Sequence, residues 1–235
     1  MKLIKPSYEI LTPIVGDELK RIELAARTCY KSEYKITETS AEKLVRGLIR
    51  SGHEAMLEHG YLTVKFICDR GVSHELVRHR LFSFSQESTR FCNYSNDKFD
   101  NELTFIEPVF FPDPSYELVP GVRARVYEPK RSLFISACNL AEMIYLKLLD
   151  RGATPEEART VLPNSLKTEI VVSGNYREWR HFFFLRAADI TGPAHPQMKE
   201  LSVPLLRELN EKIPVIFEDI VDLVNEINEP RKENT

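Results

Sequence analysis

The stretch 75–95, ELVRHRLFSFSQESTRFCNYS, sets Arg78, His79, Arg80 and Arg90 among Ser83, Ser85, Gln86, Ser88 and Thr89. A guanidinium fork matches the oxygens of a phosphate, and hydroxyls with loop N–H groups supply the remaining donors. That combination suits an anionic ligand. Val72, Leu76, Val77, Leu81 and Phe82 run through the same stretch, and their spread around the circumference reads as a buried helix over about 73–82. Charges inside such a helix need partners, either carboxylates elsewhere in the chain or an anion. A solvated surface helix would need neither, and both readings stand on the triplet alone. The segment SFSQESTR then reads as a polar loop, fitting a ligand cradle or a cluster of turn-forming serines.

The elements that must hold these groups follow from periodicity and caps. A strand is expected over 8–15 and a helix over 17–32, begun near Asp17. A second helix follows over 36–52, with Thr39 or Ser40 as cap and Gly52 as its stop. Residues 61–69 alternate, with Leu62, Val64, Phe66 and Cys68 on one face, as in a half-buried strand. The region 93–120, rich in Pro, Asn and Asp, reads as loops with one short strand. A long helix is expected over 123–149, then a short one capped by Thr154, with Pro155 at its first position and Pro163 ending it. A strand over 166–174, an aromatic-dense helix over 175–188 and helices over 196–213 and 214–228 complete the chain. Residues 229–235 read as a flexible tail. The whole is expected to be one α+β domain over 1–228, with a mixed or antiparallel central sheet flanked by helices.

Composition narrows the function classes. A formal net charge of −3 over 235 residues argues against a protein whose main work is holding a nucleic-acid backbone, which is usually basic. No uninterrupted apolar run approaches a membrane span, and the first residues lack the apolar core of a signal peptide, so a cytoplasmic protein is expected. Cys29, Cys68, Cys92 and Cys138 show no ligand-type spacing and read as reduced thiols, with no metal site. No GxGxxG occurs, so no Rossmann domain is expected to bind a dinucleotide.

Arg78-His79-Arg80, seven residues and then Ser88 resembles the signature of the flavin-dependent thymidylate synthases, the family unrelated to the cysteine-dependent enzymes. ESTRF resembles the family's ESTRY, with Phe91 in place of a frequent tyrosine. GHEAMLEH, from Gly52 to His59, resembles a GHxSxxEH-type segment, with Ala55 where a hydroxyl residue is often seen. ARTVLP and NYREWRHFFFLR resemble two further elements of the family. Motif order and spacing agree over about residues 8–210.

The resemblance implies reductive methylation of dUMP to dTMP, with methylenetetrahydrofolate as one-carbon donor, NADPH as reductant and FAD as hydride carrier. It implies FAD contacts from His53, Glu58, Arg78, His79, Arg80, Asn175, Arg177 and His181. It implies dUMP contacts from Glu75, Arg78, Gln86, Glu87, Ser88, Arg90, Arg159 and Arg186, with Arg186 as the catalytic residue at the uracil ring. Gln86 stands where some members carry Glu and cannot act as a base. Ser88 is the conceivable nucleophile, but it reads better as a binding hydroxyl, and Cys92 lies outside the signature. Arg177 and His181 share a helix face, with Asn175, Trp179, Phe182 and Arg186 on another. That arrangement is compatible with the family's homotetramers and their shared active sites. Competing readings are a nucleic-acid-binding module, a flavoenzyme acting on a related pyrimidine nucleotide, and an inactive homologue.

Overall fold

The computed structural model describes residues 1–111 and 130–228. In chain order its elements are β1 (Lys2–Ile4), β2 (Ser7–Ile10), α1 (Glu18–Thr28), α2 (Ser40–Arg50), β3 (Tyr61–Asp69), α3 (Arg70–Leu76), β4 (Ser83–Gln86), β5 (Thr104–Ile106), α4 (Lys130–Asp150), α5 (Pro155–Ala158), β6 (Lys167–Asn175), α6 (Tyr176–Arg186), α7 (Pro196–Lys212) and α8 (Pro214–Asn228). Short 3-10 turns intervene, one of them over Glu54–His59. The antiparallel sheet has the order β2-β3-β6-β4, so the α+β expectation holds. The parts of the expected long helix before residue 130, the expected loops over 112–120 and the expected tail lie outside the described residues.

The chain folds into two compact units, each assembled from separated segments. One comprises Met1–Pro6, Ile67–His74 and the described part of Gln86–Glu169; the other comprises Ser7–Phe66, Glu75–Ser85 and the described residues from Ile170 onward. The chain passes from one to the other inside β3, α3, β4 and β6.

In the second unit the alternation of β3 is realised: Leu62, Val64 and Phe66 are fully buried while Tyr61 stands exposed. Trp179, Phe182 and Phe183 of α6 are also fully buried, together with Phe217 of α8. Phe82 packs on Trp179 with ring centroids 4.6 Å apart, and the indole N–H donates to the Leu62 carbonyl at 3.1 Å. Each such side chain stabilises the fold by roughly 1.5–3 kcal/mol through burial. Close approach is built in at Gly174, where an added Cβ would overlap the Phe82 ring, and at Gly60, where it would overlap Tyr176.

The first unit has its own core of Tyr94, Leu103, Phe105, Cys138, Tyr145 and Leu166. Here β1 pairs in parallel with β5, Lys2 opposite Thr104 and Ile4 opposite Ile106. The sequence reading placed no strand at β1, whose three residues are too few to show alternation. Among the described residues α4 is the one helix long and apolar enough by composition to cross a membrane. Its Glu142 is nevertheless engaged within the unit, accepting the Leu103 N–H at 2.8 Å and facing the Met1 amino group at 2.9 Å. Thr154 and Glu157 form the expected capping box with Pro155 at the first position of α5.

One expectation fails at the central motif. The helix expected over 73–82 begins at Arg70 and ends at Leu76. Asp69 starts it, its carboxylate accepting the Val72 N–H at 2.7 Å. Residues 77–82 form turns, in which the Arg78 and His79 N–H groups bond to the Glu75 and Leu76 carbonyls. Of the apolar set only Val72, Leu76 and Phe82 are buried; Leu81 is 74% exposed and Val77 is exposed too. Ser83–Gln86, read as loop, is the edge strand of the sheet.

The Phe82 contact gives a direct check. Gly174→Ala is expected to lower stability by about 1–3 kcal/mol through overpacking, measured by urea unfolding with the slope unchanged. An unaltered midpoint would contradict the close approach.

Candidate active site

The site is set by how α6 is rotated. Asn175 caps the helix, its side-chain oxygen accepting the Glu178 N–H at 2.9 Å. Trp179, Phe182 and Phe183 occupy the buried face. Arg180, only 1% exposed, locks the same orientation. It donates to both oxygens of Asp219 at 2.8 and 2.7 Å, to Glu54 at 3.1 and 3.3 Å, and to the Ile216 carbonyl. A buried guanidinium is tolerable only with its charge and its donors answered in this way.

With those faces committed, the remainder of α6 forms one wall of a cleft of about 880 Å³, within the usual range for ligand pockets. Asn175, Arg177, Glu178, His181, Phe184, Leu185 and Arg186 line it from α6; Arg78, His79, Arg80 and Leu81 line it from the turn after α3; Glu54 and Glu58 come from the 3-10 turn. Arg177 and His181 share a face as expected, but Asn175 and Arg186 reach the same cleft. The two-faced reading of this helix is therefore corrected. Arg177 and Arg180 are three positions apart, and it is Arg180 that turns away into the core. Phe182 and Phe183 are core residues; Phe184 is half-buried at the cleft, with Arg180 over its ring at 5.5 Å. His53 is exposed at the head of the 3-10 turn and does not line the cleft.

The cations differ in their partners. Arg177 Nη1 meets Glu58 at 2.7 Å, an exposed and therefore screened pair. Arg78 and Arg80 are exposed in the turn, and no carboxylate among the described residues pairs with them. They are not charges buried in a helix, as the sequence reading had them; they are donors held at a rim.

His79 is 5% exposed, and Arg186 Nε donates to its Nε2 at 3.2 Å. Arg186 Nη1 donates to Glu75 at 3.2 Å. A guanidinium has no acceptor, so Nε2 must offer a lone pair and the ring must be neutral with its proton on Nδ1. Burial, the Arg186 charge and His181 together lower the His79 pKa to about 4. The 3.6 Å approach of Nδ1 to Glu178 is therefore a contact of a neutral N–H with a carboxylate, and it is longer than a hydrogen bond. Burial raises the pKa of Glu178, opposed by His181.

The remaining motif residues lie in the first unit. The Gln86 amide nitrogen donates to Ser73 Oγ at 2.9 Å and Thr168 Oγ1 at 3.1 Å, and among the described residues its oxygen has no protein donor. Glu87 is committed: Lys167 and the Tyr94 hydroxyl donate to it at 3.1 and 2.9 Å. Burial disfavours the Lys167 charge, but bonds to Glu169 and Glu87 outweigh it and raise its pKa. Among the described residues no side-chain base bonds to Ser88, whose Oγ accepts the Arg90 N–H at 3.3 Å. Arg90 pairs with Glu156 at 2.9 Å on the surface, and Arg159 donates to Thr89 at 3.5 Å. Cys92 packs against the first unit's core. The structure thus gathers seven of the eight residues expected at FAD in one cleft, together with Arg186. Those expected at dUMP are distributed over the two units.

The family model described as thymidylate synthase complementing protein matches residues 11–215. A flavin-dependent thymidylate synthase of Mycobacteroides abscessus is 36% identical over 205 residues, covering 84% of this chain and 78% of the relative. One from Geobacter sulfurreducens is 33% identical over 205 residues, covering 84% and 80%. This chain is a member of the flavin-dependent thymidylate synthase family. A solved structure of PolB, a UMP/dUMP methylase from Streptomyces cacaoi bound with 5-Br dUMP, superposes with a TM-score of 0.73 at 26% identity over 94% of this chain and 97% of that one. As a family member the protein is an enzyme, and the cleft is its candidate catalytic centre.

The sequence reading missed the cleft roles of Glu54, Leu81, Glu178, Phe184 and Leu185. Glu178 carried a signal in its spacing, three residues from both Asn175 and His181.

The neutral state of His79 has a pH consequence. The unfolded imidazole, near 6.5, binds its proton more readily than the folded one, near about 4. The associated stability is fully present above 6.5 and is lost as pH falls from 6.5 toward 4. The fall in melting temperature across that window should be shallower in His79→Gln than in the parent. Equal slopes would contradict a neutral buried His79.

Proposed function

We propose that this enzyme methylates dUMP to dTMP, taking the one-carbon unit from methylenetetrahydrofolate and two reducing equivalents from NADPH, with FAD bound in the cleft. The stoichiometry closes: the C5 hydrogen leaves as a proton, the methylene carbon joins C5, and NADPH with a proton reduces it to methyl while tetrahydrofolate is released. Bound FAD supplies the hydride transfer between NADPH and the pyrimidine.

The observation that carries this reading is that Arg78 and Arg80, without a carboxylate partner among the described residues, line the same cleft as Arg177 and His181, together with apolar Leu81, Phe184 and Leu185. Cationic donors with apolar walls fit a ligand that has both a pyrophosphate and a flat ring system. FAD would be held by Arg78, Arg80, Arg177 and His181, with Asn175, Glu58 and His79 around them. Arg186 is the catalytic residue. Its guanidinium stabilises negative charge on the uracil ring and so makes C5 a better nucleophile. Glu75 and His79 hold it in place. Gln86 offers a carbonyl acceptor, Ser88 a hydroxyl, and Arg90 and Arg159 guanidinium groups for the nucleotide phosphate, with Glu87 bracing that segment through Lys167. We further propose that the two units act as one catalytic domain and that active enzyme is a cytoplasmic homotetramer. Exposed Tyr30, Tyr34, Leu133, Leu140 and Met143 support assembly, and four free thiols support a reducing compartment.

Purified protein should be yellow, or become so on adding FAD. Arg186→Ala should retain the flavin spectrum while tritium release from [5-³H]dUMP falls by at least a hundredfold. Colourless protein that takes up no FAD would overturn the cofactor assignment, and full activity in the variant would overturn the role of Arg186. The likeness to a UMP/dUMP methylase supports a second reading, action on UMP; turnover of UMP at the dUMP rate would favour it.

A further inference from the structure

Glu178 is a buried carboxylate on the wall of the cleft, 5% exposed, and the expected FAD and dUMP contacts do not include it. Its backbone N–H is used by the Asn175 cap. Its carboxylate lies 3.6 Å from His79 Nδ1, and the nearby His181 acts on it electrostatically as well. The opposite ring nitrogen of His79 is the acceptor for Arg186 Nε, and Arg186 Nη1 is tied to Glu75. Four side chains thus form a line, Glu178–His79–Arg186–Glu75, with the guanidinium at its working end.

We propose that Glu178 is a positioning residue that fixes the tautomer of His79 and thereby aims Arg186. The imidazole has two neutral forms. With the proton on Nδ1, an N–H faces the Glu178 carboxylate and a lone pair faces the Arg186 Nε–H, and both contacts are attractive. With the proton on Nε2, a lone pair faces a carboxylate and an N–H faces an N–H, and both are repulsive. The carboxylate therefore selects the form in which the ring accepts from Arg186. His79 is also confined by its neighbours: Phe182 lies edge-on at 5.2 Å, Phe82 at 6.0 Å and His181 at 6.1 Å. The ring cannot swing away to find other partners, so its tautomer decides whether Arg186 keeps two anchors or one. With two anchors, on Nε and Nη1, the guanidinium plane is fixed and, among the described residues, Nη2 has no protein partner. Burial of Glu178 in this position is costly for a carboxylate. Its retention beside His79 is understandable if the charge sets the ring.

The inference rests on the proposed role of Arg186, and the test separates the two. In FAD-loaded protein with ¹⁵N-labelled histidine, His79 should show the Nδ1–H tautomer. In Glu178→Leu it should become a mixture, or shift to Nε2–H. Tritium release from [5-³H]dUMP should show kcat reduced about tenfold or more in Glu178→Leu with the flavin retained and KM for dUMP changed less than threefold. Glu178→Gln, whose side-chain oxygen keeps a partial negative charge facing Nδ1–H, should keep the tautomer and recover kcat to within about fivefold of the parent. An Nε2–H signal in the parent, or an unchanged tautomer in Glu178→Leu, would overturn the inference whatever the activity. A shifted tautomer with unchanged kcat would instead show that Arg186 is not the group that the line serves.

Discussion

The rotation of α6 about its own axis decides where the cleft's cations point, and it is fixed by what the helix must bury. Trp179, Phe182 and Phe183 have no exposed surface, so one side of the helix is committed to the core. Arg180 is committed by chemistry rather than hydrophobicity, because Asp219, Glu54 and a main-chain carbonyl answer its charge and its donors in the interior. The residues left over, Arg177, His181 and Arg186, are then compelled to face the cleft. A core interaction thus does the orienting that a catalytic constellation requires.

Arg186 illustrates the consequence. Its guanidinium is held between a carboxylate and an imidazole that is neutral because it is buried beside cations. A charged His79 would repel it. The same burial that costs His79 its proton makes it an acceptor, so the protein obtains a fixed guanidinium without neutralising it fully. Arg78 and Arg80, exposed and without carboxylate partners among the described residues, differ in kind.

The sequence made the two long strands, the capping box at Thr154 and the motif residues legible, because alternation, caps and rare spacings are local signals. Residues 73–82 misled the reading for a physical reason. An apolar set spread around a circle looks the same for a buried helix and for a helix that stops at Leu76 and yields to turns with Leu81 in solvent. The edge strand Ser83–Gln86 is defined by pairing with β6, which no local pattern of serines discloses. Arg180 and Arg177 are the same residue type on the same helix, and only tertiary packing tells which one is structural. The motif named the ligands through resemblance; packing showed which of its cations are free to meet them.

The most direct test of the central claim follows the carbon atom. Protein supplied with FAD, NADPH, dUMP and methylenetetrahydrofolate carrying ¹³C in its methylene group should form dTMP one mass unit heavier, with no labelled product when NADPH or FAD is withheld. Unlabelled dTMP, or no dTMP from flavin-loaded protein, would contradict the assignment of this cleft to reductive methylation.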